Sequence, residues 1–272
     1  MKELIYSVLK DMVEHDEGNR IEDAATGQRV PMLDMPLVGF AVVEDDIFLQ
    51  MRNPDYIGAH YRNPADFLEG ARTVVSFFFP ISEEVRKSNR AAGDPSDLWM
   101  TCGGSRGAFM RKVLERVVEE LAGAGVRAVV PAYSGMVKSV SADGCDDPLW
   151  AGKTFTTNWS ERHTAFACGL GTFGICGGLI TEKGIAGVPI SMIVDCALEP
   201  TPRAYTEPFE YCIRCGACVK RCPGGAVSLD KPMDSQKCLD HAREVYAKYA
   251  PKGGCAKCQV GVPCEYKRPT AK

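Results

Sequence analysis

This 272-residue sequence has no long apolar segment, only four histidines and nearly balanced charges. The net charge is −3 and the isoelectric point is about 5.9, so the composition offers no overall attraction to nucleic acid. No apolar stretch approaches the roughly 20 residues that span a bilayer, because the run at Thr73–Ile81 is far too short. The N-terminal segment carries acidic residues and has no apolar targeting core. These absences predict a cytoplasmic protein that binds neither membrane nor nucleic acid.

Cysteine, in contrast, is abundant, with 13 residues in the chain. In a cytoplasmic protein this number indicates metal or redox chemistry rather than disulfides. Cys212, Cys215, Cys218 and Cys222 form the run C-x2-C-x2-C-x3-C-P, the bacterial ferredoxin signature for 4Fe–4S clusters. The first three thiolates would hold one cluster, and the fourth, which precedes Pro223, would bind a second cluster.

A second cluster needs further cysteines downstream, and the sequence supplies them. By the crossover of two-cluster ferredoxins, the predicted ligands of the first cluster are Cys212, Cys215, Cys218 and Cys264. The predicted ligands of the second cluster are Cys222, Cys238, Cys255 and Cys258. The alternative is a zinc site, for which two C-x2-C pairs would suffice, but four zinc ligands leave part of the run unexplained. The remaining cysteines are expected to be small buried apolar side chains: Cys102, Cys145, Cys168, Cys176 and Cys196.

Two regions differ in character, and a proline-containing stretch at 199–210 separates them. Residues 1–198 alternate helix and strand signals and predict an α/β (α+β) domain around a sheet of mixed direction. Residues 199–272 predict a small ferredoxin-like domain with two 4Fe–4S clusters. The periodicity predicts helices at 1–17, 64–71, 107–122, 160–168 and 234–249, and strands at 73–79, 126–130, 179–182 and 188–195, the last two as a hairpin.

A glycine-rich loop lies between two of these segments. Gly169, Gly171 and Gly174 satisfy G-x-G-x-x-G, the dinucleotide fingerprint, which requires a strand before the loop and a helix after it. The predicted order is the reverse, so NAD binding is not expected. Two other interpretations stay open: a helix end followed by a tight turn, or glycines that let the backbone lie flat against a large planar cofactor.

Four segments together resemble the epoxyqueuosine reductase-like iron–sulfur proteins, which are related to the reductive dehalogenases. The segments are Phe67–Arg90, Ser160–Gly174, Leu179–Gly184 and Gly253–Tyr266, in addition to the cysteine run. The resemblance implies a nitroreductase-like domain that holds cobalamin and a domain with two 4Fe–4S clusters. Electrons would pass through the clusters to cobalt, which reduces the substrate. The cofactor-binding residues implied are Arg162, His163, Gly169, Gly171, Thr172, Phe173 and Gly174.

Departures from this family indicate a paralogue rather than a true epoxyqueuosine reductase. Phe155 stands where those enzymes have a general-acid aspartate, and the chain lacks the helical-repeat extension that some tRNA-acting members carry after the second cluster. With the acidic isoelectric point, tRNA is not expected as the substrate. The mutase-type motif Asp-x-His-x-x-Gly is missing, and the histidines form no evident ligand group: His15, His60, His163 and His241. Cobalamin is therefore expected to bind with its lower base detached and no histidine in its place.

The expected function is cobalamin-dependent reduction of a small molecule, with a ferredoxin or flavodoxin as low-potential electron donor. Such a reduction needs a proton donor, and Glu161, His163, Tyr61 and Tyr133 are possible donors among which the sequence does not choose. The alternatives are an electron carrier without substrate chemistry of its own, such as a corrinoid-protein activator, or an FMN-dependent reductase. If the glycine loop lines the cofactor, Gly171→Val should abolish corrinoid binding.

Overall fold

The computed structural model describes residues 1–141, 143, 144, 150 and 152–270. The prediction for Cys145 lies outside these residues. The α-helices of the described chain are α1 (Lys2–His15), α2 (Asp46–Gln50), α3 (Glu83–Ser88), α4 (Asp97–Gly123), α5 (Glu161–Ala167), α6 (Ala217–Arg221) and α7 (Ser235–Tyr249). Within these ranges, no helix is both long and apolar enough to cross a membrane.

A four-stranded antiparallel sheet in the order β3-β4-β10-β5 forms the centre of the fold. The sequence predicted a sheet with both parallel and antiparallel strands. Whether two neighbouring strands run parallel depends on how the chain connects them, and the apolar periodicity of each strand does not reveal this. Shorter pairs join β1 to β2, β6 to β7 and β8 to β9. The strands are β1 (Arg20–Glu22), β2 (Arg29–Pro31), β3 (Leu37–Val42), β4 (Thr73–Pro80), β5 (Ala128–Val129), β6 (Ser139–Val140), β7 (Thr156–Thr157), β8 (Gly171–Phe173), β9 (Leu179–Thr181) and β10 (Gly187–Val194).

The central strand β4 is buried along its whole length because helices cover both faces of the sheet. Phe77 and Phe79 face a core that α1 and α4 complete. The alternate residues, including Val74 and Phe78, face the opposite side, where α5 packs. Successive side chains of a strand point to opposite faces, so a strand buried on both sides reads as a continuous apolar run. This layering is the α+β architecture that the sequence predicted.

The helix predictions are largely confirmed, and the main difference lies in α4. This helix begins at Asp97, where the Ser96 hydroxyl accepts a hydrogen bond from the Trp99 amide (3.2 Å), and it runs on through Gly103. The sequence placed its start at residue 107, because glycine in a helix interior costs about 1 kcal/mol relative to alanine. The helix expected at 64–71 is a single 3₁₀ turn, Pro64–Asp66. The N-terminal helix and the helix between the cysteine groups form as predicted.

The predicted hairpin of 179–182 and 188–195 is wrong. The first of these segments, β9, pairs with β8, and the second, β10, pairs with β4 along all eight of its residues. The intervening turn does form, with Gly184 in the left-handed region (φ +81°). After it, the Ile185 amide donates to the Cys264 carbonyl (2.8 Å) and the Ala186 amide donates to the Glu265 carbonyl (3.1 Å). The C-terminal segment thus occupies the position that a hairpin partner would need.

The stretch 199–210, predicted as a linker, is packed against the sheet. Thr201 pairs with Phe40 of β3 through its amide (2.9 Å) and its hydroxyl (3.1 Å), and the buried Tyr205 donates to the Phe166 carbonyl (2.6 Å). Beyond it, Val260 belongs to the main core. The cluster-binding segment is therefore docked on the sheet domain, and its cysteines have fixed positions relative to that domain.

A buried carboxylate strengthens this docking. Glu265, which is 2 % exposed, accepts hydrogen bonds from Arg86 (2.9 Å) and Arg90 (2.7 Å). Burial raises the pKa of its carboxyl group, but the hydrogen bonds from Arg90, Gly261 and Arg86 outweigh burial and hold the pKa below its usual range. The ion pairs join the last turn of α3 and the residues just after it to the segment that carries Cys264.

Candidate redox site

The four predicted ligands of the first cluster line one cavity. Cys212, Cys215 and Cys218 reach it from the loop before α6 and from α6 itself, and Cys264 reaches it from the C-terminal segment. Gly216, in the left-handed region (φ +71°), makes the turn that starts α6. The structure therefore brings together three cysteines that are close in sequence and one that is remote.

The four predicted ligands of the second cluster form a separate group. The Cys255 thiol lies near those of Cys222 and Cys238, and the Cys258 thiol lies near those of Cys222 and Cys255. Burial raises the pKa of Cys255, and the neighbouring thiols raise it further. Cys222 reaches this group because α6 ends at Arg221 and the chain extends (φ −77°, ψ 107°) before Pro223. The two groups have the composition that the crossover predicts, and the ligand assignment itself stays a prediction.

The surroundings of the second group fit an iron–sulfur cluster. The Ala226 amide donates to Cys222 Sγ (3.3 Å), and His241 Nε2, one turn after Cys238 on α7, is buried without a hydrogen-bond partner among the described residues. N–H groups beside ligand sulfurs are a feature that tunes cluster potentials. No three His, Cys, Asp or Glu side chains of the described chain converge as ligands of a single metal ion would.

The cysteines outside the two groups differ in their surroundings. Cys102 and Cys168 are buried, and burial raises the pKa of each thiol, as expected for small apolar side chains. Cys196 is half-buried. Cys176 is buried too, but its thiol lies against Cys218 and Cys258, one from each predicted ligand set. The sequence predicted only a small buried apolar side chain for Cys176, and its position two residues after the glycine loop was the signal available.

A cleft of about 370 Å³ lies between the sheet domain and the cluster segment. This volume is within the range of roughly 300–1,000 Å³ typical of small-molecule sites. Its walls come from α4, α5, β10 and residues 253–256. They include glycines and two arginines: Gly103, Gly187, Gly253, Gly254, Arg106 and Arg162. Cys255, of the second cysteine group, also lines the cleft. A molecule bound here would lie beside the second group.

An unpaired strand edge forms one side of the cleft. Within the described residues, β5 pairs only with Ile193 and Val194 of β10, so the edge of β10 from Gly187 to Pro189 has no strand beside it there. An unpaired edge presents backbone N–H and C=O groups that can bind another polar molecule. On α4, Gly103 allows close approach, because a Cβ at this position would stand 3.2 Å from the Gly253 carbonyl oxygen. The cleft therefore combines free backbone groups with glycine walls.

The predicted cofactor-binding residues divide into three groups. Arg162 lines the cleft and lies close enough to Cys238 to lower the pKa of that thiol, although burial raises it more. Phe173 and Gly174 line a shallower depression beside the cluster segment. The remaining four line neither of these cavities: His163, Gly169, Gly171 and Thr172. The structure thus places Arg162 alone of the seven in the cleft.

The glycine loop is packed inside the protein and does not face the cleft. A Cβ at Gly171 (φ +156°) would stand 2.0 Å from the Ile180 carbonyl oxygen, and one at Gly169 (φ +80°) would stand 3.0 Å from Thr201. Thr172 is fully buried, and its hydroxyl accepts from the Tyr211 amide (2.8 Å). Gly169 and Gly171 are required by the end of α5 and by the β8–β9 pair. Gly171→Val would therefore disrupt this pair, and it does not test cofactor binding as the sequence analysis intended.

Glu161 is a buried carboxyl group on α5, directly before Arg162, which lines the cleft. Pro189 of β10 lines the cleft. Ser191 lies on the same face of this strand, about 7 Å further along it. Glu161 lies beside Ser191. Both carboxyl oxygens are buried with no well-formed hydrogen bond in the described chain, since Trp159 Nε1 donates to Ser191 Oγ instead (3.0 Å). Burial raises the pKa of Glu161 to about 7, although Ser191 and Trp159 lower it slightly.

Three of the four possible proton donors lie together. Tyr61 and Tyr133 are both near enough to Glu161 for its charge to raise the pKa of their hydroxyl groups, which burial raises more strongly. The Tyr61 hydroxyl is also buried without a hydrogen-bond partner among the described residues. His163 points elsewhere: it contacts the Ser160 hydroxyl (2.7 Å) and the Phe173 ring. Burial, with the charge of Arg162, lowers the pKa of His163 to about 4, so its imidazole is neutral near pH 7.

The raised pKa of Glu161 predicts a pH-dependent stability. Between its ordinary value of 4.5 and about 7, the folded protein holds a proton that the unfolded chain has lost, so stability falls as pH rises through this window. Glu161→Gln should remove this fall, which is on the order of 3 kcal/mol. The measurement is the free energy of unfolding of both proteins between about pH 5 and about pH 8. Equal pH slopes for both proteins would contradict the assignment.

Phe155 occupies an unusual backbone conformation next to β7. Its φ is +51°, a region that large side chains rarely adopt, and the ring is 39 % exposed. Residues held in such conformations cluster at functional sites. Phe155 has no acidic proton, so the general acid that the resemblance implies at this position must come from another residue.

Comparisons with known proteins agree with this geometry. The 4Fe-4S binding domain family matches residues 208–228, and no curated protein sequence matches the chain. The fold is similar to that of the epoxyqueuosine reductase from Streptococcus thermophilus (14 % identity, TM-score 0.54, covering 100 % of this chain and 68 % of that one). A selenomethionine-labelled epoxyqueuosine reductase is also similar (16 % identity, TM-score 0.51, covering 99 % and 66 %).

The fold is also similar to that of a reductive dehalogenase whose structure suggests a mechanism for B12-dependent dehalogenation (15 % identity, TM-score 0.52). It covers 86 % of this chain and 30 % of that one, so the chain spans about two thirds of the reductases and under a third of the dehalogenase. The predicted fold class is confirmed. The protein has the fold of the epoxyqueuosine reductases and reductive dehalogenases, with a 4Fe–4S binding segment inside it.

Proposed function

We propose that the protein is a reductase in which two 4Fe–4S clusters pass electrons to a cobalamin in the cleft, where a small-molecule substrate is reduced. The supporting observation is the position of Cys255, which belongs to the second cysteine group and also lines the cleft. An electron on the second cluster would therefore lie beside the bound cofactor. In this proposal residues 1–198 hold the cofactor and substrate, and residues 199–272 hold the clusters.

The same geometry supports one direction of electron flow. Both groups reach the surface, through Cys215 and Cys238, but Cys255 of the second group lines the cleft. Electrons would enter at the first cluster, cross to the second and leave into the cleft. The donor would be a small low-potential protein such as a ferredoxin or flavodoxin that docks near Cys215.

The cleft has features that fit cobalamin. Its glycine walls allow a broad planar ring close to the backbone, and the free edge of β10 offers N–H and C=O groups to the amide side chains around a corrin. No histidine of the described chain lines the cleft, so nothing there replaces the lower base. Bound cobalamin would supply a metal centre of low potential that transfers electrons to the substrate.

Glu161 is the residue that we assign as proton donor. Addition of two electrons to an epoxide or a carbon–halogen bond leaves an anion that must be protonated. The Glu161 carboxyl group is buried one residue before the cleft residue Arg162, and it keeps its proton close to neutral pH. Tyr61 and Tyr133 flank it and hold protons more tightly, since burial raises the pKa of Tyr133 to about 12 and that of Tyr61 further. The acid therefore gives up its proton first.

Filling the cleft tests where cobalamin binds. Arg106 lies half-buried on α4 and lines the cleft, so Arg106→Trp would place an indole ring in it. We expect cobalamin affinity to fall by at least about tenfold, or about 1.4 kcal/mol. The iron content should not change, because Arg106 lies outside both cysteine groups. The measurement is an anaerobic absorbance titration of the reconstituted protein with cobalamin.

The matched control is Arg116→Trp, further along the same helix. Arg116 is exposed and makes surface ion pairs with Glu119 and Glu120, which contribute little to stability. Its cobalamin affinity should equal that of the parent. Equal affinity in both variants would show that the cleft is not the corrinoid site. A parent that binds FMN in place of cobalamin would favour a flavin-dependent reductase, and one that binds neither would favour an electron carrier.

A further inference from the structure

Two arginines, and no acidic residue of the described chain, line the cleft between the sheet domain and the cluster segment. Arg106 reaches the cleft from α4 and Arg162 reaches it from α5. In the part of the chain that the structure describes, neither guanidinium forms an ion pair with a carboxylate, in contrast to Arg86 and Arg90. The whole chain has a net charge of −3, so this positive charge is a local feature of the cleft.

Elsewhere the protein supplies partners for the arginines that it withdraws from water. Arg90 is half-buried and donates to Glu265 (2.7 Å), and the half-buried Arg221 donates to a backbone carbonyl group (3.0 Å). A charged group that leaves water without such partners is costly. Arg106 is also half-buried, but its neighbour is the Cys102 thiol, which carries no charge near pH 7 because burial raises its pKa. A ligand in the cleft would provide the missing counter-charge.

The chemistry of the cleft favours an oxyanion as this ligand group. A guanidinium is planar and always charged, and its parallel N–H groups match the two oxygens of a carboxylate or phosphate. Phe78, Trp99 and Leu179 also line the cleft, and apolar walls strengthen the attraction between opposite charges because they lower the local dielectric constant. The Gln259 side chain lines the same cleft and can donate a further N–H group.

We propose that Arg106 and Arg162 form an oxyanion site, which binds a phosphate or carboxylate group of the molecule in the cleft. Arg162 is exposed and lies near Cys238, so water and the second cluster would offset part of its charge. Arg106 therefore contributes the larger share of the binding. Because only the proposed function assigns the cleft as the cofactor and substrate site, this inference rests on it.

Two molecules could bring the oxyanion into the cleft. Cobalamin carries one phosphodiester, in the tail that joins the ring to the lower base, and this tail is free of cobalt when the base is detached. The substrate is the other source, and it would then be an epoxide or organic halide that also carries a carboxylate or phosphate group. Both sources present the same chemistry to the two arginines.

Inorganic phosphate tests the site itself. The cluster-loaded protein would be titrated with phosphate at constant ionic strength, and binding would be followed by calorimetry. Arg106→Gln should weaken phosphate binding by at least about tenfold, or about 1.4 kcal/mol, and Arg106→Lys should restore most of it because lysine keeps the charge. Arg162→Gln should weaken binding less. Arg116→Gln, at an exposed position further along α4, should bind phosphate as the parent does. The iron content of each variant shows whether its clusters are intact.

A second titration, with two corrinoids, identifies the source of the oxyanion. Cobalamin has the phosphodiester tail, and cobinamide lacks it. Displacement of the bound phosphate by cobalamin but not by cobinamide would show that the arginines bind the tail. Phosphate that stays bound beside either corrinoid would show that they bind the substrate, and the parent should then reduce acidic compounds in preference to their methyl esters.

Two results would overturn the proposal. One is equal phosphate affinity in the parent and in Arg106→Gln. The other is equal displacement of phosphate by both corrinoids, since the ring alone would then cover the arginines. Failure of the proposed function gives a different result. A parent that binds phosphate through Arg106 but binds no corrinoid would contradict the proposed function and leave the oxyanion site in place.

Discussion

Replacing Cys222 with serine should halve the iron of the reconstituted protein, from about eight atoms per chain to about four. Cys222 directly follows the first three ligands in sequence, but its thiol lies with Cys255 and Cys258. Loss of one thiolate should therefore destroy the second cluster and spare the first, whose ligands line their own cavity. The measurement is iron and sulfide content together with the resonance spectrum of the reduced protein.

The control for this variant is Cys196→Ser, at a half-buried cysteine outside both groups. It should keep all of the iron and both spectral signals. If Cys222→Ser kept both clusters, or lost the cluster held by Cys212 and kept the other, the crossover would be wrong. Retention of zinc in place of iron by the parent would contradict the cluster assignment as a whole.

Glu161→Gln should slow substrate reduction by roughly 10²- to 10⁴-fold while electron transfer to the bound cofactor stays intact. Glutamine has nearly the same size as glutamic acid but carries no acidic proton, so the buried site near Ser191 and Trp159 keeps its packing. A panel of small epoxides and organic halides would first identify a substrate that the parent reduces. The turnover of this substrate and the rate of cofactor reduction would then be measured in both proteins. The two rates separate a proton-donor role from a general loss of fold.

Two further variants sharpen this prediction. Glu119→Gln, on the exposed side of α4, should turn over at the parent rate. Tyr133→Phe should change the rate less than Glu161→Gln, because the pKa of this hydroxyl group lies near 12 and the group gives up its proton less readily. Turnover by Glu161→Gln at the parent rate would show that another group, or water, supplies the proton.

The cysteine run carried most of what the sequence could predict. Cys212, Cys215 and Cys218 are neighbours in the chain, so their spacing reports their geometry directly. The amphipathic helices and the buried strand β4 are local patterns too, and they form as predicted. The place of Cys264 in the first group depended on the crossover of known ferredoxins, and the structure brings it to the same cavity.

Non-local contacts decide the features that the sequence analysis missed. The sequence pattern Gly169-x-Gly171-x-x-Gly174 is the same whether its glycines face a cofactor or pack against the Ile180 carbonyl. The pairing of β8 with β9 shows that they pack against the carbonyl. The cleft arises where α4 and the segment around Gly253 meet, two regions remote in sequence. Glu161 and Tyr61 become a pair only after folding, so no spacing could choose Glu161 from four possible donors.

We expect two clusters and one cobalamin to share this chain, and the metal and cofactor stoichiometry after anaerobic reconstitution measures both. The protein would be reconstituted with iron, sulfide and cobalamin, freed of excess reagents, and analysed for iron, sulfide, zinc and corrinoid, with a resonance spectrum of the bound Co(II) state. We expect about eight irons and about eight sulfides per chain. We also expect one cobalamin whose lower base is detached. About four irons with no retained corrinoid would contradict the proposed function.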